Sequence, residues 1–293
     1  MDFLSQIVNG LGIGSIYALV ALGYSMVYGI VQLINFAHGD IIMVGAYVTY
    51  LILVVGGAPL WAAVVASILF CALAGVLIER LAYRRLLSQN APRISLLITA
   101  IGVSIFLENL FQLLFTSSAK SMPNLFPGPP VSLGGLQVGR VTAITLVTSI
   151  TLMLLLQLLV SRSKIGKAMR ATSEDTGAAK LMGISTEMVV AFTFAVGSGL
   201  AAVGAVLYCG AYPLINPYMG NLLGLKAFVA AVLGGIGSIP GAMFGGFLIG
   251  VAESLTKAAG GSQITDAVVF GILILVLLCR PSGLFGSNVR EKV

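Results

Sequence analysis

The chain has 293 residues, 58% of them apolar and only 9% charged, with a mean hydropathy of +1.05. A soluble domain carries about 25% charged residues to solvate its surface, so this composition excludes a water-soluble enzyme. Thirty-six glycines, with 16 basic against 10 acidic residues, fit an all-α, polytopic helical membrane protein forming a single transmembrane domain over 1–293.

The opening Met1-Asp2-Phe3 has no basic region ahead of its apolar stretch, which predicts a retained first span rather than a cleaved signal peptide. A helix crossing roughly 30 Å of hydrocarbon needs about 20 residues. Apolar runs of this kind fall at 7–31, 41–55 (short), 60–78, 94–115, 141–160 and 189–212. A Gly-rich region at 222–259 and a last run at 267–279 follow. A Pro-rich loop at about 116–140 is expected outside, and a charged loop at about 162–187 inside.

Arg80, Arg84, Arg85 and Arg93 flank the loop after the third run. Arg162, Lys164, Lys167, Arg170 and Lys180 lie in the charged loop, and Arg280, Arg290 and Lys292 in the tail. One topology places all three segments, with twelve of the 16 basic residues, on the cytoplasmic side together with the C-terminus. The pI near 9.3 therefore reads as a positive-inside signal, not a nucleic-acid footprint. If 222–259 is split into two elements, nine spans result and the N-terminus is outside. If 41–55 is re-entrant, the count is eight and the N-terminus is inside.

Asn35-Phe36-Ala37-His38-Gly39-Asp40 interrupts the apolar sequence between the first two runs. The plain reading is a membrane-boundary turn, with Asp40 capping the next helix and His38 at the interface. A proton relay through His38 and Asp40 is the sharper alternative. Glu108 is expected to face the bundle interior near Asn109 and Gln112, or to sit at the outer boundary, because a carboxylate at mid-bilayer costs about 2.5–3.5 kcal/mol. Glu79 is expected at the interface beside Arg80, and Lys226, Glu253, Lys257 and Asp266 near the ends of the broken elements.

The string Gly234-Gly235-Ile236-Gly237-Ser238-Ile239-Pro240-Gly241 is not a dinucleotide loop. Pro240 stands where the third glycine of a GxGxxG belongs, and no strand–helix unit surrounds it. A helix break inside the membrane is expected instead, its freed backbone groups facing protein or a water-lined path. Gly241-xxx-Gly245 and Gly246-xxx-Gly250 then allow close helix approach. The Walker A pattern is absent, since Gly166-Lys167 is followed by Ala168. Any ATP that drives this protein is hydrolysed on another chain. Cys71, Cys209 and Cys279 are scattered in apolar runs and, with a single histidine, suggest packing rather than a metal site or disulfides.

In the charged loop, Ser173 is a candidate N-cap, with Glu174 and Asp175 in the first turn. Ala178, Ala179, Leu181 and Met182 supply a small apolar face, and Gly183 a stop. So short a helix needs a partner surface, either lipid or a soluble protein.

These residues resemble the membrane permeases of branched-chain amino-acid ABC importers, specifically the LivH-type subunit. The resemblance runs through NGLGIGSIYALVALGYSMVYGI at the start, INFAHGDIIMVGAY at 34–47 and ITAIGVSIFLENL at 98–110. It continues in GKAMRATSEDTGAAKLMGI at 166–184, LKAFVAAVLGGIGSIPGAMFGG at 225–246 and RPSGLFG at 280–286, covering nearly the whole chain.

The resemblance implies a non-catalytic permease subunit in the bacterial inner membrane that carries leucine, isoleucine and valine. Its partners would be a second permease (a LivM-type paralogue or a copy of this chain), two cytoplasmic ATPases that bind the ATP, a periplasmic amino-acid-binding protein and membrane lipid. No cofactor is implied on this chain. Pathway candidates are Asn35, His38, Gly39, Asp40, Lys226, Gly234, Gly235 and Gly237. Coupling candidates are Ser173, Glu174, Asp175, Ala178, Leu181, Met182 and Gly183. Urea, amides or other amino acids are alternative cargoes. An ion-coupled secondary transporter is disfavoured by the scarcity of ionisable residues in the core, and a membrane-embedded enzyme by the lack of any paired-carboxylate, Ser/His or metal arrangement.

Overall fold

The computed structural model describes residues 3–32, 34–89, 91–133 and 136–286. Its helices are α1 (Phe3–Val31), α2 (His38–Tyr50), α3 (Leu60–Ile78), α4 (Arg84–Ser88), α5 (Arg93–Phe115) and α6 (Arg140–Arg162). They continue as α7 (Lys164–Glu174), α8 (Thr176–Leu181), α9 (Thr186–Ala211), α10 (Met219–Gly234), α11 (Ile239–Ala258) and α12 (Thr265–Cys279). Four short strands, β1 (Lys120–Ser121), β2 (Val131–Leu133), β3 (Leu136–Val138) and β4 (Leu214–Ile215), lie in the loops. A π-helical turn, Leu51–Val55, extends α2, and another, Glu79–Tyr83, joins α3 to α4. Eight elements are long and apolar enough to cross a membrane, and α10 is a shorter ninth.

Helix α1 is the centre of the bundle and runs antiparallel to α11. A methyl on Gly10 would strike the backbone of Val251, and one on Gly14 the backbone of Gly246, 2.7 Å away in both cases. The helices touch backbone to backbone, which only small residues permit. Helix α9 packs antiparallel on α1 where Gly197 meets Gly23. The peripheral helices α3, α5, α6 and α12 instead expose Leu69, Phe106, Leu155 and Leu278. Lipid is as apolar as these side chains, so hiding them inside the bundle gains nothing.

The three basic segments meet at one end of the bundle. Arg84 Nη1 lies 3.5 Å from Glu187 Oε2 at the start of α9. Arg93 Nη2 donates to Gln32 Oε1 at the end of α1, 3.0 Å away. The N–H groups of Leu284 and Phe285 donate to the carbonyls of Leu233 and Gly234, each at 3.0 Å, docking the C-terminal segment on the end of α10. Arg290 and Lys292 lie outside the described residues. At the opposite end, β1 pairs antiparallel with β4, with Lys120 opposite Ile215. Helix α2 finishes there too, with Tyr47 stacked on Phe115 at a centroid separation of 4.7 Å. Helix α1 starts at the opposite end and α12 finishes at the basic end, which requires an odd number of crossings; among the described residues the eight long elements and α10 make nine.

Two local expectations need correction. Ser173 is not an N-cap. Ser163 caps earlier, accepting from Gly166 N at 2.9 Å, and α7 then runs through Ser173 to Glu174. Asp175, with extended backbone, starts α8 by accepting from Gly177 N at 2.7 Å and Ala178 N at 3.0 Å. Gly183 does provide the stop, at φ +80°. Glu79, for its part, lies at the basic end but is closed off from solvent, and its partner is Arg84. It is 1% exposed and bound by both Arg84 Nε (3.1 Å) and Nη2 (2.9 Å). The π turn's i→i+5 spacing puts positions 79 and 84 on one face.

Candidate functional site

The segment 35–40 turns from the basic end into the bundle, and Asn35, His38 and Asp40 are all buried. His38 packs against Gly23, which has no side chain to exclude the imidazole, and meets the Tyr24 ring edge-on at 4.8 Å. Gly23 is eight residues before the end of α1, which places His38 about 12 Å into the bundle. Asn35 is held by Tyr83, whose Oη donates to Asn35 Oδ1 at 2.8 Å. The backbone of Gly39 then crosses α10 at Gly224, where a methyl on Gly39 would come within 3.1 Å of the Gly224 Cα.

Asp40 does not cap α2 through its side chain; the N-cap position is Ala37, with no side-chain cap bond. The carboxylate still gains from the helix dipole in the first turn. Among the described residues no group makes a well-formed hydrogen bond to either Asp40 oxygen or to His38 Nε2, although the Ser104 hydroxyl lies beside the carboxylate and the Val20 carbonyl beside the imidazole. Asp40 lines a cavity of about 160 Å³ with Tyr24, Phe36, Ser104, Asn221 and Leu225. Beside it, Asn221 Nδ2 donates to Glu108 Oε1 at 3.5 Å, which resolves where Glu108 sits.

Lys226 belongs to a separate group. Its Nζ lies 3.3 Å from Glu253 Oε2 and 2.8 Å from Asp266 Oδ1. Lys257 Nζ reaches Glu253 Oε1 at 2.7 Å, and Tyr17 Oη donates to Glu253 Oε2 at 2.7 Å. This cluster ties α1, α10, α11 and α12 together and lines a cavity of about 440 Å³ with Tyr208, Tyr212 and Tyr218.

Gly234, Gly235 and Gly237 form the α10–α11 hairpin at the basic end, away from Asp40. Gly235 (φ +103°) and Gly237 (φ +92°) adopt backbone that L side chains avoid. Gly283 and Gly286 of the C-terminal segment pack on Gly235. The helix break is real, and its freed carbonyls are met by protein. In the charged loop Ala179 is buried, while Ala178 is exposed, Leu181 90% exposed and Met182 83%. The anticipated apolar face is thus outward, and Ala179 is its anchor.

Sequence reasoning did not find Tyr24, Phe36, Ser104 or Asn221 as neighbours of Asp40, because each comes from a different stretch of chain and carries no local pattern. The Glu253–Lys257 pair was missed as well, although their spacing of four residues on one helix face is a signal that could have found it.

The family model described as "Branched-chain amino acid transport system / permease component" matches residues 6–278. The chain belongs to this permease family. It is 47% identical over 303 residues to the high-affinity branched-chain amino acid transport system permease protein BraD of Pseudomonas aeruginosa, covering 99% of this chain and 98% of that one. It is 43% identical over 304 residues to LivH of Escherichia coli, a permease protein of the same description, with the same coverage. A probable branched-chain amino acid transport permease protein LivH of Methanocaldococcus jannaschii is 31% identical over 292 residues, covering 94% of this chain and 90% of that one. No solved structure matches. As a permease of this family the chain offers two polar interiors, one ion-paired and one not, and an outward apolar loop at its basic end.

Proposed function

We propose that this chain is a permease subunit of an ATP-driven importer of leucine, isoleucine and valine in the bacterial cytoplasmic membrane. The full-length likeness to permeases of high-affinity branched-chain amino acid systems carries the reading. The basic end is cytoplasmic by the positive-inside rule, so the N-terminus is external and the C-terminus internal. ATP is bound and hydrolysed by two separate subunits, since this chain has no phosphate loop. A second permease, LivM-type or a copy, and a periplasmic amino-acid-binding protein complete the importer. The pathway runs past Asn35, His38, Gly39 and Asp40, and Lys226 lies on the outer approach to it.

The exposed Leu181 and Met182, with Ala178, form the surface that receives the ATPase. Ala178 takes a cap bond in the first turn of α8, where proline is partly tolerated, so a charge on the exposed face is the cleaner perturbation. Leu181→Asp in the assembled importer should release the ATPases and stop leucine uptake, yet leave the two permeases paired. Retained ATPases with substrate-stimulated hydrolysis would remove this surface from coupling. For sidedness, cysteines at positions 84 and 167 in sealed cells should resist an impermeant thiol reagent, while those at 5 and 127 react. The reverse pattern inverts the topology. Leucine uptake by the purified complex in proteoliposomes tests the transport reading itself, and uptake of urea or amides in its place would move the chain to another cargo.

A further inference from the structure

We propose that the Asp40 cavity is the subsite that takes the primary ammonium group of the cargo as it crosses the bundle. This rests on the transport reading above and adds to it the group that is recognised. Asp40 is 1% exposed, makes no well-formed hydrogen bond among the described residues, and has only the neutral Ser104 hydroxyl beside it and no cation. A buried carboxylate left unpaired is expensive, and in a membrane protein such a group is retained where it meets a charge of opposite sign.

The protein's own cations nearby are committed elsewhere. Lys226 is held by Glu253 and Asp266, and Arg84 by Glu79 and Glu187. Among the described residues no Lys or Arg lines the cavity, and Glu108 beside Asn221 adds a second negative group. The walls suit an ammonium. Tyr24 and Phe36 line it, each packed against Phe228 at centroid separations of 6.0 and 5.7 Å. Aromatic faces attract ammonium ions, most strongly when these are stripped of water.

The remaining walls fit the side chain of an aliphatic amino acid. Ile101 and Leu225 offer an apolar surface for a branched side chain. Ile101, Asn221 and Leu225 are exposed, so the cavity is reached from between α5 and α10 without unpacking the core. A neutral amide such as urea would leave the carboxylate unpaired. The site therefore selects against neutral cargo on the same physical ground that it selects for an ammonium.

The test uses the complete importer in proteoliposomes and two diazirine probes, photo-leucine and its analogue lacking the amine. Photo-leucine should crosslink to Tyr24, Phe36 or Leu225 in the unmodified complex, be displaced by leucine, and label independently of whether sodium or potassium is present. The amine-free analogue should not label there. Asp40→Asn should cut leucine uptake at least about tenfold, as loss of a buried charge partner does, and abolish the crosslink. Asp40→Glu, which keeps the charge, should restore part of both. Equal labelling by the amine-free probe, or normal uptake by an assembled Asp40→Asn complex, would overturn the assignment and leave the transport reading intact. A strict requirement for one inorganic cation would give the site to that ion instead. Absence of leucine uptake by the unmodified complex would remove the transport reading, and the assignment with it.

Discussion

The Glu253 cluster and the Asp40 cavity sit in the same bundle, both touch α1 and α10, and both bury a carboxylate in an apolar protein. They differ in how the charge is satisfied. Both Glu253 oxygens are bound, by Tyr17, Lys226 and Lys257. Asp40 has no cationic partner among the described residues, only the neutral Ser104 hydroxyl beside it. A carboxylate ringed by protein partners holds helices together, and removing it strands the cations it neutralised. A carboxylate without a charged partner contributes little to holding the fold and is available to something passing by. Burial alone therefore does not separate a structural charge from a functional one; the partner inventory does.

Substitutions can break or sharpen this contrast, ranked here by expected effect on thermal unfolding of the assembled complex in nanodiscs. Glu253→Ala leaves Lys226 buried with Asp266 alone and should cost about 3–5 kcal/mol. Pairing Glu253→Leu with Lys226→Met should recover much of that loss. An unaltered transition in the single variant would mean the cluster is not structural. Tyr17→Phe removes one hydrogen bond to a charged acceptor, for an expected loss of about 1.5–3 kcal/mol, and a neutral result would take Tyr17 out of the cluster. Asp266 is half exposed, so Asp266→Asn should cost less than about 1 kcal/mol. Asp40→Asn should leave the transition unchanged or raise it, because an unpaired buried charge is relieved. A large destabilisation there would place Asp40 among the structural charges and erase the contrast.

The charged loop at 162–187 shows how local signals become legible and then mislead by a residue or two. Ser173, Glu174 and Asp175 all carry cap-like side chains, so composition cannot choose among them. The choice falls to Asp175 because α7 had already been started by Ser163 and propagates through Ser173. The Gly183 stop was readable, since only a residue tolerant of positive φ ends a helix that way. The 35–40 segment was legible as a turn but not as a buried one. Asn, Gly and Asp are turn formers anywhere, and nothing local told that Gly23 would leave room for His38 inside the bundle.

Composition and the placement of Lys and Arg determined the class of this protein, its apolar runs and the gathering of its three basic segments at one end. Those properties depend on the solvent each stretch must meet, and solvent preference is written residue by residue. Family membership was also carried by the chain, in long motifs that keep their order. Only the tertiary structure decided which charges are paired. Lys226 finds Glu253 from 27 residues away and Tyr17 finds it from 236, while Asp40 finds no cation among the described residues. Pairing depends on which helices become neighbours, and here that was set by where glycines let backbones touch, a property of two segments at once that neither encodes alone.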